Sequence, residues 1–175
     1  MAQLNKDDIL RLLNLLNDQM RGLSLQGEVY LVGGAVMCLV FNARASTKDL
    51  DAFFKPAQKM REAAAKVAVK TGIETDWLND AVKGFLSQQG EFEPYLELSH
   101  LKILTAKAEY LLAMKSLSMR IGEEFYDVED VRYLIRYLNL RSYQSAVDLI
   151  SKYYPLTRFP QKTLYALEEI FEKMS

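Results

Sequence analysis

The run Val29-Tyr30-Leu31-Val32 stops at Gly33-Gly34. After a short apolar segment comes Arg44-Ala45-Ser46-Thr47-Lys48-Asp49-Leu50-Asp51-Ala52-Phe53-Phe54. Two β-like runs around a segment of helical character restrict the chain to folds that lay helix on sheet. The spacing predicts a strand over about 28–32, a helix over 35–41, a loop over 43–47 and a second strand over 48–54. Residues i and i+2 of a strand leave from one face, so Asp49 and Asp51 are expected to point the same way. Two like charges side by side are costly unless a cation lies between them. Hard divalent cations, Mg²⁺ above all, take such oxygens together with phosphates. The paired glycines let backbone approach a phosphate chain closely, and amides at the following helix start favour an anion. The plainer alternative is a tight turn and a solvated strand edge. The apolar residues bracketing both acids weigh against it.

Ahead of this stretch, Asp7 and Asp8 open an apolar pattern at Ile9, Leu10, Leu12, Leu13, Leu15, Leu16 and Met20, which predicts an amphipathic helix stopped at Gly22. Behind it, Pro56 suits a first helical turn, strong helix formers run from Lys59 to Ala68, and Gly72 suits a C-cap. Asp76-Trp77-Leu78-Asn79-Asp80 interrupts the pattern before a short helix, Ala81 to Leu86, and Trp77 reads as a packing anchor. Gly90 to Pro94 breaks the chain, and Tyr95–Leu98 and Leu101–Thr105 read as short strands with imperfect alternation. From Lys107 the spacing is helical, over 107–120, 124–139, 142–154 and 161–174. The division is therefore an α/β part, 1–106, and a helical region, 107–175. No Gly/Ser-rich linker separates them, so they are expected to pack as one unit.

A chain of 175 residues can bury a sizeable core. Its net charge of −1 supplies no basic excess for tight nonspecific binding of nucleic acid, though it leaves room for a local patch. The single Cys38 has no disulfide partner within the chain, so a buried thiol in a reducing cytoplasm is expected. His100 is the only histidine, so no zinc cluster can be built from His and Cys. Nothing near Cys38 or His100 matches a cysteine-hydrolase motif. No apolar run reaches the length of a membrane span, and the acidic N-terminal stretch does not read as a signal peptide. The tyrosines Tyr126, Tyr133, Tyr137, Tyr143, Tyr153, Tyr154 and Tyr165 either stack on RNA or fill helix seams with their hydroxyls to water.

The glycine pair, the short helix and the Asp-x-Asp strand, in that order, resemble the signature of the DNA polymerase β-like nucleotidyltransferase superfamily. Arg44, Ser46 and Thr47 ahead of the aspartates look like the R-x-S/T-x-D-h-D form of stand-alone bacterial members, among them relatives of the AbiEii and MenT toxins. Ala108–Lys115, then Arg120, then Asp127-Val128-Glu129-Asp130-Val131 is similar to their second half, a helix ending in lysine, an arginine, and acids opening the next helix. The resemblance implies a small mixed sheet flanked by helices with a C-terminal helical part, an α/β (α+β) fold. It implies transfer of a nucleoside monophosphate from an NTP to an acceptor hydroxyl with release of pyrophosphate.

On this resemblance Asp49 and Asp51 would hold Mg²⁺ or Mn²⁺, with Glu97 the best match to a third carboxylate on a neighbouring strand. Gly33 and Gly34 would cradle the phosphates, and Arg44, Ser46 and Thr47 would shape the same pocket. Asp76 and Asn79 would lie near it. Lys115 would reach a nucleotide phosphate, and Asp130 would join it in a catalytic role. The implied acceptor is a tRNA end, a protein side chain or a small molecule, with a cognate antitoxin or toxin as a further partner. Two alternatives stay open at the level of the residues. Asp127 caps its helix while Asp130 bridges to Lys115 or Arg120. A Glu97 turned to solvent would leave the catalytic base unaccounted for, and would favour substrate assistance or a non-catalytic nucleotide- or partner-binding module.

Overall fold

Val29 and Leu31 of one strand, and Leu50, Ala52 and Phe54 of the next, are buried, while the residues between them are only partly so. That period of two turns one face of a sheet toward helices. The computed structural model describes residues 3–122 and 125–174. Its larger sheet contains β2 (Gly27–Val32), β4 (Leu50–Lys55), β5 (Leu78–Asn79), β6 (Phe92–Glu97) and β7 (Leu101–Ala106), in the order β5-β4-β2-β7-β6. Pairing is parallel in β2–β7 and β4–β5 and antiparallel in β2–β4 and β6–β7, so the sheet is mixed. With the helices below, this is the expected α/β fold.

Two helices pack together on the apolar side of the sheet, α1 (Lys6–Gly22) against β7 and α3 (Ala57–Thr71) against β4. α1 starts where it does because Asn5 and Asp8 form a reciprocal cap: Asp8 N–H donates to Asn5 Oδ1 at 2.8 Å, and Asn5 N–H donates to Asp8 Oδ2 at 3.0 Å. Its stripe of Ile9, Leu12, Leu13, Leu16 and Met20 is buried. α3 ends at Gly72, in the left-handed region with φ 77°. Trp77 is buried and donates Nε1–H to the carbonyl of Ala64 at 3.0 Å, so it is the anchor its isolation in the sequence suggested.

The elements depart from expectation in several places. β1 (Leu4–Asn5) and β3 (Ser46–Thr47) pair as a small antiparallel sheet where a loop was expected. Two residues carry no readable period. The strand expected over 48–54 begins at Leu50, which leaves Asp49 at a bend just ahead of it. β6 begins at Phe92 and holds an irregularity between Pro94 and Leu96, where Tyr95 is the extra residue. A bulge shifts alternation by one, which accounts for the imperfect pattern read there.

The chain forms two compact units. One holds the described residues up to Gly84 together with Phe92–Ala106; the other holds Phe85–Glu91 and the residues from Lys107 on. In the second, α4 (Ala108–Leu117), α5 (Asp127–Tyr137), α6 (Tyr143–Ile150) and α7 (Gln161–Met174) enclose Leu111, Leu112, Val131, Leu134, Ile135, Ile150 and Leu167. The helix expected over 124–139 opens at Asp127, and Glu124 lies outside the described residues.

Tyrosines tie Phe85–Glu91 to the bundle. Ser87 N–H donates to the Tyr110 hydroxyl at 2.9 Å, Tyr153 Oη–H to Glu91 at 2.8 Å, and Tyr154 Oη–H to the Phe85 carbonyl at 2.5 Å. Gly90 lies flat against the Tyr110 ring, where a β-carbon would stand 2.6 Å from Cε2. Burial first, then the hydrogen bond to Glu91, pushes the Tyr153 phenol up, so it remains a donor. Tyr153 and Tyr154 thus fill seams as expected, but their hydroxyls bond to protein rather than to water. Among the described residues, no helix is long and apolar enough to cross a membrane.

Candidate functional site

β2 runs into Gly33, whose φ of +67° an L side chain adopts only at a cost, so this turn calls for glycine. α2 (Gly33–Leu39) follows at once, and its N-cap, Val32, offers no side-chain acceptor to the first amides. The β2–β4 register sets Val32 opposite Asp51. The carboxylate therefore comes to rest against the turn: a β-carbon on Gly33 would stand 3.2 Å from Asp51 Oδ2. The segment after α2 brings Arg44 back across the second glycine. A β-carbon on Gly34 would stand 2.0 Å from Arg44 Nη1 and 2.8 Å from Thr47 Oγ1. A glycine pair, a guanidinium, a hydroxyl and a carboxylate thus converge on one corner of the sheet.

The neighbouring groups hold this corner in place. Thr47 is buried, and its hydroxyl donates to the Asp49 carbonyl at 3.3 Å, tying the loop to the start of β4. Leu50 N–H donates to the Trp77 carbonyl at 2.7 Å, so the buried tryptophan fixes β5 beside β4. In that parallel ladder Asp51 is the partner of Asn79. Paired residues share a face roughly 5 Å apart, so Asn79 stands beside Asp51, while its amide is engaged locally: Nδ2–H donates to the Asp76 carbonyl at 3.5 Å and Oδ1 accepts from Ala81 N–H at 3.4 Å. The five residues from Asp76 to Asp80 flag this place in the sequence, and Asn79 is the one that the ladder sets beside Asp51. Asp80 is engaged elsewhere: it accepts from Arg61 Nη2 at 2.6 Å and from Lys83 Nζ at 3.4 Å. The Arg61 hydrogen bond holds its carboxyl below the usual carboxylate range.

Several expected members are not part of the corner. Ser46 donates to Gln3 Oε1 at 3.2 Å. Adjacent strand residues point to opposite faces, so with Thr47 against the glycines Ser46 is turned away from them. Glu97 is exposed, and the registers align it in one row with Lys102, Glu28 and Lys55. Asp51 lies four residues from that row along β4, and three strands over from Glu97. At about 3.3 Å per residue and about 4.8 Å per strand, the two carboxylates are roughly 20 Å apart. Glu97 therefore does not complete a metal site with Asp49 and Asp51. Consistently, no group of three or more His, Cys, Asp and Glu residues suited to hold a metal ion occurs among the described residues. Asp49 and Asp51 remain as the candidate carboxylates, with Asp49 one residue outside the ladder.

Lys115 and Asp130 belong to the second unit and are brought to each other. Lys115 Nζ lies 2.7 Å from Asp130 Oδ2 and 3.6 Å from Asp127 Oδ1, and all three residues are buried. Asp127 Oδ2 also accepts from the backbone N–H and the Nε–H of Arg120, at 2.9 and 2.8 Å. Burial alone would raise the Asp127 carboxyl. The Arg120 hydrogen bonds and the Lys115 charge outweigh it and hold Asp127 below its ordinary value. This is the bridging arrangement of the two read from the sequence. Asp127 binds Arg120, and its helix has no side-chain cap.

Neither Cys38 nor His100 has an environment that activates it. Burial pushes the Cys38 thiol up against the pull of Arg44 and Lys6, which leaves it a poor nucleophile. The His100 ring shares a 3.0 Å hydrogen bond with Ser99 Oγ.

Neither protein-family models, nor curated proteins, nor solved structures match this chain. What the corner can bind follows from its own groups. A guanidinium fork recognises phosphate bidentately, glycines admit an anion close to backbone, and a carboxylate such as that of Asp51 can join the oxygen ligands of a hard divalent cation.

Proposed function

We propose that the chain is a metal-dependent nucleotidyltransferase of the DNA polymerase β-like type, moving a nucleoside monophosphate from an NTP to an acceptor hydroxyl. One observation carries the reading: Arg44, Thr47 and Asp51 close on Gly33-Gly34 from three separate segments, at the contacts a β-carbon would violate. Phosphate chemistry needs all of them together, whereas a tight turn needs only the glycines.

In this reading the triphosphate enters at Gly33 and Gly34, where the missing β-carbons leave room for the Arg44, Thr47 and Asp51 side chains that meet it. Arg44 offers its planar fork to phosphate oxygens, and the Thr47 hydroxyl adds a hydrogen bond. Asp49 and Asp51 hold Mg²⁺ or Mn²⁺; two carboxylates suffice because such ions keep waters and take substrate phosphates as further ligands. The bound ion supplies charge neutralisation at the phosphates and a template for in-line displacement. The chemistry balances as attack of the acceptor oxygen on the α-phosphorus, with departure of pyrophosphate and loss of the hydroxyl proton to solvent or to a substrate phosphate. The acceptor is a tRNA end, a protein hydroxyl or a small molecule. A cytoplasmic toxin with a cognate antitoxin is the setting that the resemblance suggests.

The placement of Glu97 favours a second reading. With no third carboxylate beside Asp51, the corner holds a nucleotide without turning it over and the chain acts as a binding module. Calorimetry of NTP binding with and without Mg²⁺, on the wild type and on Asp51→Ala, tests what both readings share. Metal-dependent binding lost in the variant is expected; equal affinity in chelator would remove both.

A further inference from the structure

Two cations flank the glycine corner of the first unit, Arg44 and Lys6. β1 pairs antiparallel with β3, with Leu4 opposite Thr47 and Asn5 opposite Ser46. The following residue, Lys6, opens α1 at the point where Arg44-Ala45 leads into β3. α2 packs against β3. Helical side chains lean toward the N-terminus, so Cys38, four residues and about 6 Å past Gly34, sets its sulfur back toward the glycine that Arg44 crosses. That sulfur donates to the Ala45 carbonyl at 3.8 Å. Burial raises the Cys38 thiol, and Arg44 and Lys6 are the two charges that pull it down, so both cations stand close to it. Lys6 is exposed, and its place does not serve the helix. A cation in a first turn opposes the helix dipole, whereas Asp7 and Asp8 complement it. Asp8 is engaged in the cap with Asn5, and Asp7 leaves the helix about 100° round from Lys6.

We propose that Lys6 binds the terminal phosphate of the NTP, so that the pocket selects a triphosphate over shorter forms. This rests on the nucleotidyltransferase reading of the corner. The groups fall in order along α2: the Asp51 carboxylate at Gly33, the Arg44 guanidinium at Gly34, and Lys6 at the turn that holds Cys38. A phosphate chain whose α-phosphate lies toward Asp51 runs past Arg44 and ends at Lys6. Arg44 offers a rigid fork to the middle of the chain, while an ammonium on a flexible stem suits terminal oxygens that turn freely. When the bond from the α-phosphorus to the bridging oxygen breaks, its electron pair stays on the departing pyrophosphate. Lys6 then neutralises part of the charge gained there.

Calorimetry with the full chain and Mg²⁺ tests this, using each NTP, its monophosphate, and inorganic pyrophosphate. Lys6→Gln should bind the preferred NTP and pyrophosphate about tenfold more weakly than the wild type, the worth of one charged hydrogen bond, and the monophosphate equally. Lys6→Arg should keep most of the NTP affinity. Lys70→Gln, which removes the same charge from the last turn of α3, should change nothing. Thermal unfolding should find Lys6→Gln no less stable than the wild type, since an exposed cation is withdrawn from a helix start. Full NTP affinity in Lys6→Gln overturns the proposal and leaves the reading of the corner standing. So does an equal loss for NTP and monophosphate, or the same loss in Lys70→Gln. A wild type that binds no NTP in the presence of metal overturns that reading and this proposal together.

Discussion

Lys115 holds Asp130 at 2.7 Å inside the helical unit, with both residues buried. Breaking a buried pair on one side leaves the other charge stranded, at a cost of about 3–5 kcal/mol. Lys115→Met should therefore lower the urea midpoint markedly. Lys115→Met combined with Asp130→Leu should recover much of the loss, since Asp130 is no longer stranded and Asp127 keeps its Arg120 partner. A Lys115→Met protein with unchanged stability but lost NTP affinity would instead assign Lys115 to the nucleotide.

Asp127 gives a pH signature. Its carboxyl is held below the ordinary value, burial notwithstanding, by the Arg120 hydrogen bonds and the charges of Lys115 and Arg120. A depressed folded-state pKa contributes stability that is present above the unfolded value, about 3.9, and is lost as pH falls through the folded one. Asp127→Asn should be less stable at neutral pH and should show a shallower loss of stability below about pH 4. Urea midpoints across the acid range measure this. An acid limb as steep as that of the wild type would contradict it.

The two glycines should separate by mechanism. Gly33 has φ +67°, so Gly33→Ala should cost about 1–2 kcal/mol of stability through backbone strain. At Gly34 the obstruction is the end of a flexible side chain, Arg44 Nη1 at 2.0 Å, together with Thr47 Oγ1 at 2.8 Å. Gly34→Ala should push Arg44 aside and press on the buried Thr47 hydroxyl, costing about 1–3 kcal/mol by overpacking, and abolish NTP binding. Thermal unfolding and calorimetry on both variants decide. Full NTP affinity in Gly34→Ala would remove Arg44 and the glycine from the phosphate site.

How far the fold was legible depended on the length of each element. The runs 29–32 and 50–54 and the long helices have enough residues for a period to show, and they form where their spacing indicates. β1, β3 and β5 are two residues each, fixed by pairing partners elsewhere in the chain. The site divides in the same way. Gly33, Gly34, Arg44, Thr47 and Asp51 follow from local order, because one strand, one turn and one return loop bring them together. Glu97 required the register of four strands and the bulge at Tyr95, which no local pattern encodes. Ser46 and Thr47 are separated by β3, on which neighbours face opposite sides, but that two-residue strand shows no period in the sequence. Tyr153 and Tyr154 were readable as seam residues, but their acceptors, Glu91 and the Phe85 carbonyl, lie more than sixty positions earlier.

The central claim is transfer of a nucleoside monophosphate, and labelled turnover tests it most directly. The protein would be incubated with each NTP labelled at the α-phosphate, a divalent metal, and separate pools of RNA, protein and small hydroxyl compounds. The account predicts label in one pool and an equal release of pyrophosphate, both abolished by Asp51→Ala. Tight, metal-dependent NTP binding with no label in any pool would contradict transfer and leave the corner as a nucleotide-binding site alone.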